Sequence, residues 1–184
     1  MAEHETGRDD FEESLLVLRC QVGSEQAFEQ LFRRYNARLG YYLRRLLGEG
    51  GLAEDVLQNV WLTVFRKLST LREPRAFRSW LYRIARNRAV GELRKQGRDL
   101  PLEDNVAEMA APEEQEEIQL RDPESVHQAL GRISAAHREV ITLRYLNGLT
   151  YEEIARVIDY SPGTVRSRIH YAKRALRKQM EETD

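Results

Sequence analysis

The sequence predicts an all-α chain built from two small helical domains, and three observations support that fold class. Apolar residues recur three and four positions apart along most of the chain, which is the period of an amphipathic helix. No stretch shows the strict alternation of a half-buried β-strand. A proline-punctuated acidic stretch separates two sets of periodic segments, and 184 residues are enough for two domains with modest cores.

These patterns give the domain limits. We place a polar tail at residues 1–10, a first domain at 11–98, an acidic flexible linker at 99–122 and a second domain at 123–184. The linker is assigned because helical periodicity fades there while prolines and acidic residues accumulate.

Four helices are predicted in the first domain. The first covers residues 11–22, and Ser24 can cap a second helix that continues to the glycines near residue 50. The third covers 53–68, with an inward stripe of Ala53, Val56, Leu57, Val60, Trp61, Val64, Phe65 and Leu68. The opposite face is a polar ridge of Asp55, Gln58, Asn59 and Leu62. Such a ridge is either a partner site or an ordinary surface with one exposed leucine.

The fourth helix begins at Phe77, after a break at Pro74, and is strongly basic. Its inward face is predicted to contain Phe77, Leu81, Ile84, Ala85 and Arg88, with Trp80 at the margin. The side chains directed elsewhere are Arg78, Tyr82, Arg83, Arg86, Asn87 and Val90. Cations interleaved with aromatic rings are typical of single-stranded nucleic acid binding, since the cations follow the phosphates and the rings stack on unpaired bases. The alternative is that Trp80 and Tyr82 are core residues and the arginines an ordinary surface.

The second domain begins with two further helices. One covers residues 124–133. Ser134 can then cap a helix over 135–146, which ends at Asn147 and Gly148 in the manner of a left-handed C-cap.

Residues 149–178 have the pattern of a helix-turn-helix. Thr150 and Glu153 have capping-box spacing for its first helix, while Ser161 and Pro162 supply the cap and first residue of its second. The second helix directs most of its polar side chains away from its apolar face: Thr164, Arg166, Ser167, Arg168, His170, Tyr171 and Arg174. A face with one sign of charge indicates a helix that reads the major groove of DNA. A solvated basic helix is the alternative.

The net charge of -1 conceals a strong segregation of charge. Residues 72–98 contain nine basic and two acidic side chains, and residues 164–178 contain six basic and no acidic ones. Residues 103–124 reverse the balance, with nine acidic side chains and one arginine. The two basic blocks indicate nucleic acid as a partner, which the net charge alone would not.

The composition argues against several other classes. Cys20 is the only cysteine, which excludes an intrachain disulfide or a multi-cysteine zinc site, and the four histidines lack metal-ligand spacing. The N-terminus is acidic where a signal peptide would be basic, and no apolar run approaches the roughly 20 residues that span a bilayer. We therefore expect a cytoplasmic protein with no catalytic residue, cofactor, metal or membrane insertion.

Two segments resemble the bacterial extracytoplasmic-function sigma factors, and they occur in the family's order on either side of a variable linker. They are AEDVLQNVWLTVFRKLSTLREPRAFRSWLYRIARNRAVGELRKQGR and REVITLRYLNGLTYEEIARVIDYSPGTVRSRIHYAKRAL. The likeness covers nearly all of residues 11–178. A helix-turn-helix alone is a weak signal, whereas two matched domains are specific. The resemblance implies a promoter-specificity subunit that binds core RNA polymerase and initiates transcription.

The resemblance also implies where each partner binds. The clamp coiled coil of polymerase would contact the ridge of Asp55, Gln58, Asn59 and Leu62. Residues 71–77 and the fourth helix would capture the melted minus-10 element by accepting a flipped base, using Arg75, Phe77, Trp80, Arg83, Arg86 and Asn87. The second domain would contact the polymerase flap and bind the minus-35 duplex with Thr164, Arg166, Ser167, Arg168, His170, Tyr171 and Lys173. Within that set, Arg168 and Lys173 are expected to contact phosphates.

Members of this family are commonly held inactive by an anti-sigma factor that covers the same surfaces. We therefore expect an anti-sigma partner, and a monomer when the chain is free of partners. Two positions depart from the family pattern. Many relatives have arginine at the position of Tyr171, which leaves the promoter sequence open, and Leu-Pro in place of Ile133-Ser134, which affects only a helix junction.

Two other functions fit parts of the sequence. A conventional helix-turn-helix repressor or activator would normally dimerise on a palindrome and would need no polymerase. An all-helical adaptor that uses the ridge around Leu62 would not respond to nucleic acid.

Overall fold

A computed structural model describes residues 2–48, 50–97 and 123–181 of the chain. Every regular element in these ranges is helical, as the sequence predicts. The predicted linker at 99–122 lies outside the described residues. The chain divides into two compact units, Met1–Glu92 and Leu93–Asp184. No helix within the described ranges combines the length and apolar character needed to cross a bilayer.

Four long helices form the N-terminal unit, and the last of them continues three residues past Glu92. They are α1 (Ala2–Gln21), α2 (Glu25–Leu47), α3 (Gly51–Lys67) and α4 (Phe77–Lys95). Two short 3-10 turns, Leu68–Thr70 and Pro74–Ala76, lie between α3 and α4. The core is formed mainly by fully buried leucines, valines and aromatic rings, among them Leu31, Leu39, Tyr42, Leu43, Val60, Val64, Phe77, Leu81 and Tyr82.

Helix α1 begins earlier than the sequence pattern indicates. The predicted polar tail at 1–10 is helical from Ala2. Its acidic side chains pair with the other helices: Asp9 Oδ2 lies 3.2 Å from a guanidinium nitrogen of Arg34, and Asp10 Oδ1 lies 3.2 Å from one of Arg78. These partners are distant in sequence, so the apolar periodicity of residues 11–22 could not reveal them.

A buried polar pair fixes α1 against α2. Glu13 is only 3% exposed, and the hydroxyl of Tyr35 donates a hydrogen bond to its Oε2. Burial raises the pKa of the Glu13 carboxyl, although the hydrogen bond from Tyr35 and the charges of Arg78 and Arg34 oppose that shift. Burial also raises the pKa of the Tyr35 hydroxyl, which keeps it protonated as the donor.

The C-terminal unit contains α5 (Pro123–Arg132), α6 (Ala135–Ile141), α7 (Tyr151–Ile158) and α8 (Pro162–Glu181). The predicted helix over 135–146 is correct in extent, but its second half, Thr142–Leu146, is π-helical. The Asn147 N–H closes this segment by donating to Thr142 O at 3.0 Å. Gly148 follows with φ +70°, which confirms the predicted left-handed turn.

The predicted N-terminal caps of the helices are present in the structure. Ser24 accepts a hydrogen bond from the Ala27 N–H at 3.3 Å, and Ser134 accepts one from the His137 N–H at 3.3 Å. These side-chain caps satisfy backbone donors that have no partner within the helix.

The buried carboxyl of Glu13 predicts a specific pH dependence of stability. Its pKa in the folded chain lies above the ordinary value of 4.5, so its contribution to stability is complete below pH 4.5 and falls as pH rises through the folded pKa. Glu13→Gln should remove this loss. The stability advantage of the variant should increase with pH by about 1.4 kcal/mol for each unit by which the pKa is raised.

Tryptophan fluorescence during urea unfolding measures this effect, because both tryptophans, Trp61 and Trp80, belong to the N-terminal unit. The control is Glu73→Gln, which alters an exposed carboxylate and should leave the pH dependence of wild type. A constant difference between Glu13→Gln and wild type from pH 4 to pH 8 would contradict the prediction.

Candidate nucleic-acid and partner interfaces

The ridge on α3 is exposed as predicted. Asp55, Gln58 and Asn59 are all exposed, and Leu62 retains 52% of its accessible surface. The Asn59 amide donates to Asp55 O at 2.9 Å, which ties its side chain to its own helix. The four residues therefore form one continuous, mostly polar face on a rigid element.

An apolar groove of about 570 Å³ adjoins this ridge. Its lining residues are Phe28, Phe32, Asn36, Glu54, Leu57, Gln58, Trp61, Leu62 and Phe65. The prediction that Phe65 points inward is wrong, since it is 68% exposed. The ring of Phe28 on α2 lies edge-on to the Phe65 ring, with the two centroids 5.4 Å apart.

The basic helix α4 and the turn that precedes it present part of the predicted minus-10 set. Arg75, Arg83 and Asn87 are exposed, while Trp80 and Arg86 are partly exposed. Trp80 packs with its ring centroid 6.2 Å from that of Phe77, so one side of the indole rests on the core. The arginines and the amide therefore stand on the surface, as the sequence predicted.

Two aromatic side chains of α4 belong to the core instead. Phe77, predicted as a DNA contact, has 0% exposure, and its ring centroid lies 5.6 Å from that of Tyr35. Tyr82, which periodicity placed away from the core, also has 0% exposure, and its ring centroid lies 5.4 Å from that of Tyr42. For Tyr82 the structural alternative was therefore correct. Arg88 was assigned to the inward face but is exposed, and it donates to Thr63 Oγ1 at 3.2 Å.

The helix-turn-helix has the predicted local geometry. Thr150 Oγ1 accepts from the Glu153 N–H at 3.2 Å, and a Glu153 carboxylate oxygen accepts from the Thr150 N–H at 2.8 Å. Asp159 ends α7 in the left-handed region, with φ 62°. Ser161 Oγ then accepts from the Thr164 N–H at 3.0 Å, so α8 begins after a turn of three residues.

The outer face of α8 carries much of the predicted minus-35 set. Arg166 is exposed. The partly exposed members are Thr164, His170, Tyr171 and Lys173. The rings of His170 and Tyr171 lie edge-on with centroids 5.4 Å apart. Arg166 is thus the cation of this set that is most open to a partner.

Ser167 and Arg168 are buried, contrary to the prediction that they lie outside the apolar face. They retain only 4% and 3% of their accessible surface. The reason is that α8 packs against α5, α6 and α7, which covers a wider arc than one apolar stripe. The Arg168 guanidinium lies 4.4 Å from the centroid of the Tyr160 ring, and its buried Nε has no hydrogen-bond partner in the described part of the chain.

Comparison with known proteins explains why these faces occur together. Residues 31–99 match the model for Sigma-70 region 2, and residues 124–176 match the model for Sigma-70 region 4. The chain is 36% identical over 178 residues to the RNA polymerase sigma-H factor of Pseudomonas aeruginosa, a match that covers 90% of this chain and 92% of that protein. It is also 36% identical over 183 residues to the ECF RNA polymerase sigma-E factor of Escherichia coli K12, covering 89% and 92% of the two chains.

Solved structures agree with this likeness. The structure of CnrH in complex with the cytosolic domain of CnrY has a TM-score of 0.68 and covers 94% of this chain and 99% of CnrH, but its 22% identity supports the fold alone. The sigma factor RpoE of Bartonella quintana, solved in complex with the anti-sigma factor NepR, is 26% identical with a TM-score of 0.64. That match covers 84% of this chain and 96% of the other.

The two matched regions and the sigma-factor relatives define a promoter-recognising sigma subunit of RNA polymerase. Such a subunit supplies specificity in transcription initiation, while the polymerase performs the chemistry. The chain belongs to the extracytoplasmic-function group of the sigma-70 family.

The burial of Arg168 predicts a structural effect that its exposed neighbour lacks. Arg168→Ala removes a desolvated cation–π contact and the packing of the side-chain stem, which should lower the free energy of opening of α8 by about 2 kcal/mol. Hydrogen exchange of the α8 amides measures that free energy. Arg174→Ala, an exposed change on the same helix, should alter it by no more than about 0.5 kcal/mol. Equal values for the two variants would show that the buried contact does not stabilise α8.

Proposed function

We propose that this sigma subunit divides promoter recognition between its two domains, 11–98 and 123–184. The first would bind the melted minus-10 element, and the second would bind the minus-35 element as duplex. The observation that carries this proposal is that each domain exposes arginines on a single rigid helix, α4 in one and α8 in the other. In vitro transcription with purified core polymerase tests it directly.

The minus-35 surface that we propose consists of Thr164, Arg166, His170, Tyr171 and Lys173. Four of these residues lie in the first half of α8, the part that enters the major groove in helix-turn-helix proteins. Arginine suits base readout because its guanidinium can make paired hydrogen bonds to a guanine edge. Ser167 and Arg168 are excluded from this surface, since both are occupied within the domain.

The minus-10 surface that we propose consists of residues 71–76, which include Arg75, together with Trp80, Arg83, Arg86 and Asn87. Exposed cations can follow a single-stranded backbone, and the open face of Trp80 can stack on an unpaired base. Binding only to unpaired bases shifts the equilibrium of the promoter towards its open state by differential affinity. Phe77 supports this surface from the core rather than contacting DNA.

Polymerase binding is assigned to the ridge of Asp55, Gln58, Asn59 and Leu62, which would contact the clamp coiled coil, while the second domain contacts the flap. The adjoining groove offers apolar surface beside the polar ridge. This combination of an apolar centre with a polar rim is typical of protein interfaces.

Regulation by an anti-sigma factor is the remaining part of the proposal. It is supported by the similarity to the Bartonella quintana sigma factor, whose structure includes such a partner. We place the free chain in the cytoplasm, where polymerase and promoter DNA are found, as a monomer until it binds one of its partners.

Truncation of Leu62 should weaken binding to core polymerase. Leu62→Ala removes apolar surface from the proposed contact and should cost about 1 kcal/mol, or roughly a fivefold loss of affinity. Fluorescence anisotropy with labelled protein measures the affinity, and run-off transcription at limiting sigma concentration measures its consequence. Leu18→Ala is the matched control, because Leu18 is 48% exposed against 52% for Leu62 but lies on α1. A similar loss in both variants would remove Leu62 from the proposed interface.

Replacement of Arg166 should alter sequence preference. Arg166→Ala should cost about 1–3 kcal/mol at a cognate minus-35 element if the side chain pairs with a guanine, and much less at sites that lack it. Lys173→Ala, which removes the expected phosphate contact on the same helix, should weaken all sequences alike and reduce the dependence on salt. The measurement is selection from a randomised promoter library by each holoenzyme. An unchanged preference in Arg166→Ala would exclude this residue from base readout.

A further inference from the structure

The segment between α3 and α4 has a buried side chain at each end. Leu68 is 3% exposed and Phe77 is 0% exposed, while most of the residues between them are open to solvent. Each half of the segment contains one short turn, closed by a hydrogen bond from the Leu71 N–H to Leu68 O at 3.1 Å and from the Ala76 N–H to Glu73 O at 2.9 Å. These local bonds alone leave much of the backbone free to move.

Gln21, the last residue of α1, supplies a long-range connection to this segment. Its Nε2 lies 3.0 Å from Leu68 O and 2.7 Å from Leu71 O, so one carboxamide donates to two carbonyls about 50 positions away in the chain. The two acceptors lie at the start and end of the first turn. The bonds therefore fix the direction in which the backbone leaves Leu71.

A second connection from α1 reaches the other end of the segment. Arg78, in the first turn of α4, donates to Asp10 Oδ1 at 3.2 Å. Helix α1 also packs on both 3-10 turns. Asp10 and Gln21 are three helical turns apart on α1, so a single rigid element holds the segment at both ends.

We propose that Gln21 is a positioning residue for promoter melting: it holds the backbone of residues 68–71 so that the segment preceding α4 is already shaped to receive an unpaired base. This inference rests on the proposed minus-10 function of residues 71–76. A segment that is ordered before binding pays less conformational entropy when the strand binds, which increases affinity without any contact to DNA. Gln21 lies outside residues 31–99, which match Sigma-70 region 2.

Three variants separate this role from a general loss of stability. Gln21→Met keeps a side chain of similar length without a donor or a charge. Gln21→Lys restores an N–H donor at this position, so it should rescue the function. Gln26→Met makes the same chemical change at an exposed position on α2 and is the matched control.

The first measurement is hydrogen exchange of the Leu71 amide by NMR in the free full-length chain. Loss of the Gln21 donor should accelerate this exchange roughly tenfold. The second is the affinity of the reconstituted holoenzyme for single-stranded oligonucleotides that the wild-type holoenzyme has enriched from a randomised pool. Gln21→Met should weaken that affinity about fivefold. Affinity for core polymerase should stay as in wild type, and Gln21→Lys and Gln26→Met should behave like wild type in both measurements.

The outcomes distinguish this inference from the proposed function beneath it. If the wild-type holoenzyme enriches no single-stranded sequence, the proposed minus-10 role fails, and this inference fails with it. If it does enrich such sequences but Gln21→Met binds them as tightly as wild type, the minus-10 role stands and the positioning role is overturned. Weak binding by Gln21→Lys, equal to that of Gln21→Met, would likewise overturn it, because the restored donor would then make no difference.

Discussion

Contact between the aromatic rings of α2 and α4 is the constraint on which the N-terminal unit depends. Tyr42 meets Tyr82, and Tyr35 meets Phe77, with centroids 5.4 Å and 5.6 Å apart. Such pairs contribute about 0.5–1.5 kcal/mol beyond the burial of their area. Because these rings fix the rotation of α4 about its axis, they also determine that Arg83 and Asn87 face solvent.

In the C-terminal unit, packing between helices also decides which side chains face solvent, but there it buries a cation. Contact with three helices makes the buried arc of α8 wide enough to enclose Arg168 along with the apolar residues. A buried cation is costly, and the contact of its guanidinium with the Tyr160 ring and the packing of its stem offset that cost. Arg166, two positions earlier, is directed to solvent. On α8, one arginine therefore packs inside the domain and another of the same chemistry lies on its surface.

Local signals in the sequence predicted the helices well. The residues whose burial was predicted wrongly show why tertiary packing could not be predicted in the same way. Ser24, Thr150 and Ser161 act through hydrogen bonds to backbone N–H groups within three residues, so a short stretch of sequence contains the whole interaction. The burial of Ser167, by contrast, depends on helices that are distant in the chain. Periodicity gives the centre of an apolar stripe but not its width, which tertiary packing decides.

The small number of fully exposed arginines on α4 and on α8 has a consequence for how a promoter is held. Affinity for DNA increases with the number of phosphates that a protein neutralises, and the solvent-facing arginines of α4 and α8 are few. Two weak contacts become one strong contact when a third body holds both at a high effective concentration over the same molecule. Core polymerase can act as that body if it binds the ridge on α3 as proposed, since that ridge shares no residue with either basic face. Selectivity for promoters would then depend on simultaneous engagement of paired and unpaired DNA, which neither domain could achieve alone.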